Sequence, residues 1–109
     1  MVDTIRLVQG DSKPDITLVL TDESTGNPLD LSAATTTVNV KFRAAGTTTL
    51  LSTISCIKTD AANGEVQFNF AGGVLNVAGG LYEGEIEIDY NGETQTVYEV
   101  LKFRVRDDF

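Results

Sequence analysis

The 109-residue chain contains no histidine and no tryptophan, and Cys56 is its single cysteine. Without histidine, the Ser-His-Asp and Cys-His catalytic pairs and most zinc sites are excluded. A lone cysteine cannot form a disulfide within the chain. We interpret Cys56 as a small apolar side chain in a strand, with a reactive thiol as the alternative. These absences argue against an enzyme, and we expect no catalytic residues, no metal and no cofactor.

Basic residues are also scarce, since eight Lys and Arg stand against sixteen Asp and Glu, which gives a net charge of −8. A surface of this charge repels nucleic acid backbones and anionic membranes. No basic-then-apolar leader opens the chain, and no apolar run approaches the roughly 20 residues of a membrane span. We therefore expect protein partners in a cytoplasm, and neither nucleic acid, membrane nor small-molecule substrate.

Alternation of apolar and polar residues runs through nearly all of the chain. It is clearest from Tyr82 to Tyr90, where tyrosines and isoleucines fall on one face and carboxylates on the other. Side chains alternate across a strand, so this segment is predicted to be a strand with one buried face. About seven such runs at roughly 10-residue spacing favour an all-β, immunoglobulin-like antiparallel β-sandwich. We expect residues 1–109 to form a single domain.

Asn91-Gly92 is the strongest turn signal and predicts a type I′ hairpin that pairs Tyr90 with Glu93. Continuing this register places Tyr82 opposite Leu101 and turns Glu99 inward, opposite Gly84. A buried unpaired carboxylate is costly. Either a β-bulge near Gly84 turns Glu99 outward, or Glu99 is a buried acid with a role. Tyr82, at the start of its strand, is also placed to form a tyrosine corner with upstream backbone.

The outward carboxylates Glu83, Glu85 and Glu87 are our first candidate interaction residues. In an immunoglobulin-like order, two strands with outward cations would flank them. One carries Lys41 and Arg43, and the other carries Lys102, Arg104 and Arg106. The acids then form either a ladder of cross-strand ion pairs or a surface partly reserved for a partner. We expect Arg104 and Arg106 to pass beyond the start of the acidic strand and form a separate basic end.

Val74, Leu75 and Val77 are the second set of candidates, because they lie in a loop bracketed by two glycine pairs. They are either apolar anchors for a partner or plugs of the domain's own core. Other docking routes are an edge strand at Thr4–Val8 and the end loops at 10–14, 21–29 and 70–80. The acidic turns at 22–27 and 60–65 lack EF-hand spacing, so we expect solvated turns and not calcium sites.

Four short motifs occur in a recognisable order: Gly10-Asp11-Ser12-Lys13-Pro14-Asp15-Ile16, Asp30-Leu31-Ser32-Ala33-Ala34, Asn63-Gly64-Glu65-Val66-Gln67-Phe68 and Gly80-Leu81-Tyr82-Glu83-Gly84-Glu85-Ile86. Together they resemble the N-terminal immunoglobulin-like domain of phage upper baseplate proteins, the BppU type. Ala33 departs from the pattern, since glycine is common there. Family members usually continue into helical or receptor-binding regions, whereas this sequence stops at Phe109, so we expect a free-standing copy.

The resemblance implies a structural virion protein of a tailed phage, and it supplies no catalytic residues. We expect a module that docks on other phage structural proteins at the tail or baseplate, the neck or the capsid surface, with a symmetric homo-oligomer as one arrangement. The alternative is a carbohydrate- or receptor-binding module of the virion. Such sites often use exposed aromatic platforms, and few aromatic residues here fall on outward positions.

Overall fold

The structure is a computed structural model that describes residues 4–22, 24–97 and 100–108. Within these ranges the chain forms nine strands and one 3₁₀ turn, Ala61–Asn63. The strands are β1 (Ile5–Val8), β2 (Ile16–Val19), β3 (Thr36–Ala44), β4 (Leu50–Ser55), β5 (Ile57–Asp60), β6 (Glu65–Phe68), β7 (Gly80–Tyr90), β8 (Glu93–Thr96) and β9 (Leu101–Arg106).

Two sheets face each other, which confirms the predicted all-β sandwich. The larger sheet has the order β1-β9-β7-β3-β4, with β8 paired to the end of β7, and the smaller has the order β2-β6-β5. In immunoglobulin lettering, β9, β7 and β3 occupy the G, F and C positions, and β2, β6 and β5 the B, E and D positions. Nine strands replace the predicted seven because the segments at 47–58 and 93–106 each divide into two strands.

The first strand departs from the expected antiparallel pattern. β1 pairs with β9 in parallel, with Ile5 opposite Phe103 and Arg6 opposite Arg104. No turn joins these strands, because they come from opposite ends of the chain, so no hairpin dictates their relative direction. The prediction of an edge position for Thr4–Val8 is confirmed, whereas the prediction of a purely antiparallel sandwich is wrong at this edge.

The core lies between the sheets and is built from alternate residues of their strands. The predicted inward rows are buried, and their largest side chains are aromatic. Phe42 stacks on Tyr82, with ring centroids 5.2 Å apart, and Phe103 packs against both Phe42 and Phe70, each with centroids 5.7 Å away. These contacts join β3, β7, β9 and the end of the smaller sheet into one apolar layer, in which each buried aromatic ring contributes much of the burial free energy.

The hairpin after β7 has the predicted register at its turn but not along its whole length. Asn91 and Gly92 have φ values of 58° and 101°, as a type I′ turn requires, and Tyr90 pairs with Glu93. Further along, Tyr82 pairs with Phe103 and not with Leu101. The predicted register is wrong there because two extra residues lie between Val97 and Leu101. A shift of two preserves the inward and outward faces.

The same shift changes the neighbour of Gly84. Leu101 lies opposite Gly84, where the unshifted register placed Glu99. Glu99 itself lies outside the described residues, so its orientation stays a prediction. Gly84 is buried, and a Cβ atom built on it would lie 2.9 Å from both Phe103 Cε2 and Val40 Cγ1. This glycine therefore lets β3 and β9 side chains close over the middle of β7.

We expect Gly84→Ala to destabilise the fold by about 1–3 kcal/mol, because the added methyl group overpacks a core that has no space for it. Urea denaturation followed by circular dichroism measures this change. Thr94→Ala, on exposed β8, is the control and should change the unfolding free energy by less than about 0.5 kcal/mol. Equal midpoints for the two variants would contradict the close packing.

Tyr82 forms the predicted tyrosine corner. Its ring is buried and its hydroxyl donates a hydrogen bond to the backbone carbonyl of Ala78, four residues upstream. The bond ties the start of β7 to the 70–80 loop. A second tyrosine, Tyr90, donates from its hydroxyl to the side chain of Gln95 at 3.2 Å in an exposed position. The two tyrosines therefore allow a comparison between a hydroxyl hydrogen bond beside the core and one exposed to water.

We expect Tyr82→Phe to cost about 1 kcal/mol, because it leaves the Ala78 carbonyl without its side-chain donor. Tyr90→Phe should be nearly neutral, since water replaces the lost partner. Chemical denaturation of both variants gives the comparison. A Tyr82→Phe protein as stable as the Tyr90→Phe protein would show that the corner does not stabilise the fold.

Candidate functional site

The outer face of the larger sheet carries most of the outward charge that the sequence analysis singled out. β7 runs through its middle with the acidic row, and β3 and β9 flank it as predicted. Register pairs Lys41 with Glu85 and Arg43 with Glu83 on one side, and Lys102 with Glu83 on the other. The acids and their nearest cations are therefore brought together by strand order.

The β3 side of this face is an ion-pair ladder. Lys41 Nζ donates to Glu87 Oε2 at 2.9 Å, and Arg43 Nε donates to Glu83 Oε1 at 3.3 Å. The hydrogen bond to Glu87 and the nearby Glu85 charge raise the pKa of Lys41. All four paired side chains are partly exposed, so each pair contributes at most about 1 kcal/mol. Glu83 and Glu87 are thus neutralised within the chain, and Glu85 lies beside Lys41.

The β9 side differs, because its cations gather with a further arginine from β1. We name Arg6, Lys102, Arg104 and Arg106 the basic column. Within the described residues, Arg6, Lys102 and Arg104 form no ion pair, while Arg106 donates to the backbone carbonyl of Asp107 at 3.0 Å. Arg6 lies directly opposite Arg104. Like charges directly opposite each other destabilise a sheet.

Apolar surface lies next to the basic column. Leu81, opposite Arg104 on β7, is 53% exposed. A shallow cavity of about 390 Å³ is lined by Arg6, Leu7, Val8, Arg104 and Arg106. The predicted basic end is therefore larger than the sequence suggested. Sequence reasoning missed Arg6, because it lies almost a hundred residues from Arg104 and only the unpredicted parallel pairing brings the two together.

The second set of candidates, in the glycine-flanked loop, is turned toward the core. Leu75 is fully buried, Val74 is buried and Val77 is partly buried. The loop is also held by its neighbour, since the Gly10 amide donates to the Leu75 carbonyl at 2.9 Å and Gln9 Nε2 donates to the Val77 carbonyl at 3.0 Å. The structure therefore supports the core interpretation of Val74 and Leu75 and leaves them little surface for a partner.

Comparison with known proteins identifies the family to which this chain belongs and a solved structure of similar fold. The family model described as BppU N-terminal domain matches residues 1–109. The chain belongs to the BppU N-terminal domain family. Among solved structures, it is similar to the N-terminal domain of phage TP901-1 ORF48, with a TM-score of 0.62 and 15% sequence identity over 98% of this chain and 86% of that chain. No curated protein matches it.

Membership of the BppU N-terminal domain family makes this chain a structural domain of phage baseplates, and so a virion component. The resemblance seen in the four sequence motifs is thereby confirmed. In the part that the structure describes, no helix is long and apolar enough to cross a membrane. The described residues also contain no group of three or more side chains suited to hold a metal ion.

The acidic turns of this BppU-family domain use their carboxylates locally. Asp22 accepts hydrogen bonds from the Ser24 amide at 2.9 Å and the Ser24 hydroxyl at 2.7 Å, which lowers the pKa of its carboxyl group. Asp60 accepts from Asn63 Nδ2 at 3.0 Å. In both turns, the aspartate side chain therefore stabilises the turn in which it lies.

Cys56 lies between β4 and β5, where the chain passes from one sheet to the other. It is partly buried against the core, and this desolvation raises the pKa of its thiol to about 11. The thiolate is the nucleophilic form, so a raised pKa keeps the side chain unreactive near neutral pH. The structure thus favours the apolar interpretation of Cys56 over the reactive one.

We expect the native BppU-family domain to react with a thiol reagent such as DTNB at pH 8 on the order of 100-fold more slowly than the urea-unfolded chain. Unfolding returns the thiol to its ordinary pKa and restores the thiolate. Absorbance of the released chromophore measures both rates, with Cys56→Ser as the blank. Equal rates in the two states would contradict the buried, protonated thiol.

Proposed function

We propose that this chain is a docking module of the phage baseplate that binds an acidic surface of another baseplate protein through the basic column. The observation that carries the proposal is the position of Arg6 directly opposite Arg104, with neither side chain in an ion pair among the described residues. Like charges directly opposite each other cost folding free energy, and no ion pair within the described part of the chain offsets this cost. A carboxylate-bearing partner would relieve that repulsion.

The composition of the chain strengthens this argument. Only eight basic residues offset sixteen acids, yet half of the basic residues lie in the basic column. With so few cations among so many acids, each cation would be expected to lie next to an acid. Lys13 does so, since it pairs with Asp15 at 3.0 Å. Complementary charge across an interface sets specificity and speeds association more than it adds affinity. The column therefore suits the recognition step of an ordered assembly.

Leu81 and Val8 add apolar surface next to the charged side chains. Both lie beside the arginines, so a docked partner would bury apolar area at the same time as it neutralises Arg6 and Arg104. Arginine is enriched at protein–protein interfaces and among the residues that contribute most to binding. By contrast, Glu83 already accepts a hydrogen bond from Arg43, and Glu87 accepts one from Lys41. The proposed surface is thus the β1–β9 side of the sheet and not the acidic row.

The carbohydrate-binding alternative finds no support in the side chains. Every aromatic ring in the described part of the chain is buried except that of Tyr90, which is partly buried. A stacking platform for a sugar needs an exposed ring. We further propose that residues 1–109 act as one domain and that docking takes place during particle assembly in the host cytoplasm.

We expect the double reversal Arg6→Glu with Arg104→Glu to abolish binding to the baseplate partner while the domain stays folded. Co-expression with the baseplate proteins encoded by the same phage, followed by tag purification and size-exclusion chromatography, measures complex formation. Reversal replaces attraction by repulsion at both positions, so the loss should be about tenfold or more in affinity. Raising the salt concentration should weaken the wild-type complex as well.

Lys13→Glu with Lys58→Glu is the matched control, because it changes the net charge equally but lies on the side of the smaller sheet. This control should retain the complex. If both double variants lose binding to the same extent, net charge and not the basic column governs assembly. If neither does, the basic column is not the docking surface.

A further inference from the structure

β4 forms an edge of the larger sheet with half of its backbone hydrogen bonds unused among the described residues. The Cys56 amide donates to the Val38 carbonyl at 2.9 Å, and Ile54 lies opposite Val40 in the same register. In an antiparallel pair, alternate residues point their N–H and C=O groups toward the partner strand. Ser52 and Ile54 therefore bond to β3, while Thr53 and Ser55 direct their backbone groups away from it.

The other edges of the two sheets are protected in ways that β4 is not. β1 carries Arg6, β5 carries Lys58 and Asp60, and β8 carries Glu93, whereas β2 is four residues long and follows Pro14 and Asp15. Charges, proline and short length are the usual means by which proteins prevent edge strands from pairing. β4 has the sequence Leu-Leu-Ser-Thr-Ile-Ser over six residues, with no charge and no proline.

Exposed apolar surface accompanies the open edge. Leu50 and Leu51 at the start of β4 are 51% and 46% exposed. A groove of about 230 Å³ borders the other end of the strand, lined in part by Thr53, Ile54, Phe68 and Val74. A strand added beside β4 would pair the free backbone groups and remove part of this surface from water. The edge thus combines the two features that β-strand addition needs.

We propose that two copies of this chain pair through β4, antiparallel and about a two-fold axis that passes beside Thr53. In this register Thr53 exchanges both backbone hydrogen bonds with Thr53 of the second copy, and Ser55 of each copy faces Leu51 of the other. A two-fold axis perpendicular to the sheet keeps outward side chains opposite outward side chains. A register displaced by one residue would set outward Thr53 against inward Ile54, which strand pairing forbids.

The second copy is the occupant that the charges favour. Two chains of net charge −8 repel each other over most of their surface. The β4 edge is a place where they can meet without setting like charges in direct contact, because its six residues are uncharged. Pairing through the basic column by a two-fold axis would instead place arginines against arginines. A two-fold contact is self-complementary and closes after two copies, which suits an edge whose central pair is Thr with Thr.

Sedimentation velocity over a concentration series tests the pairing on the full chain. We expect wild type to form a dimer as its concentration rises. Thr53→Pro should raise the dimer dissociation constant about tenfold or more, because proline removes an outward N–H without removing a bond to β3. Thr53→Val keeps the N–H and should dimerise like wild type. Wild type that stays monomeric throughout, or Thr53→Pro that dimerises equally, would overturn the proposal.

A disulfide tests the register directly. In a Cys56→Ser background, Thr53→Cys should oxidise to a covalent dimer, because hydrogen-bonded partners have Cα atoms about 5.5 Å apart, within disulfide range. Thr17→Cys, exposed on β2, should not form it at the same rate. Equal oxidation of both would contradict the register.

A third variant guards against loss of folding. If circular dichroism shows that Thr53→Pro does not fold, Thr53→Glu replaces it, since Thr53 is exposed and the monomer can hold one carboxylate there in water. Two such carboxylates meet across the axis and should dissociate the dimer at low salt; an unchanged dimer would overturn the proposal. Because β4 and the basic column lie at opposite edges of the sheet, the Thr53 variants test pairing and the Arg6 and Arg104 variants test docking, so failure of either proposal is distinguishable from failure of the other.

Discussion

The period of two in β7 is the constraint on which the rest of this sandwich depends. β7 is a central strand of the larger sheet, and its inner row of Tyr82, Ile86 and Ile88 belongs to the core. Burying that row places every intervening carboxylate on one outer face, where the acids would repel one another if left alone. Lys41 and Arg43 of β3 reduce this repulsion by forming ion pairs with two of the acids. Core formation thus determines the electrostatics of the outer surface.

The basic column lies on β9 and β1, whose cations are not used in the ion pairs between β3 and β7. Two extra residues between Val97 and Leu101 slide β9 along β7, so that Lys102 lies opposite Glu83 and Arg104 lies opposite the uncharged Leu81. β1 then adds Arg6 beside Arg104. Folding alone would favour a neutral or acidic residue at either position. The proposed acidic partner would offset the repulsion between these two opposed arginines.

Much of the fold could be predicted from the alternation of apolar and polar residues in the sequence. β3, β6 and β7 alternate cleanly, and the Asn91-Gly92 turn fixes the hairpin at its tip, so their faces could be predicted residue by residue. The division of residues 47–58 into β4 and β5 could not, because the strand changes sheet at Cys56 and its apolar residues follow neither face consistently. The parallel β1–β9 pair was also beyond reach, since no turn residue reports a contact between the two ends of the chain. For the same reason, the sequence predicted the acidic residues of the candidate site but not the contribution of Arg6.

The two proposed surfaces lie at opposite edges of one sheet, and this placement makes them compatible. β1 ends the order on one side and β4 on the other, so pairing through β4 leaves the basic column uncovered. An axis perpendicular to the sheet also keeps both outer faces on the same side of a dimer. Two basic columns would then point in one direction, related by the two-fold axis. Such a pair would engage two acidic sites at once, and linked binding of this kind would strengthen attachment to a symmetric particle without any new contact.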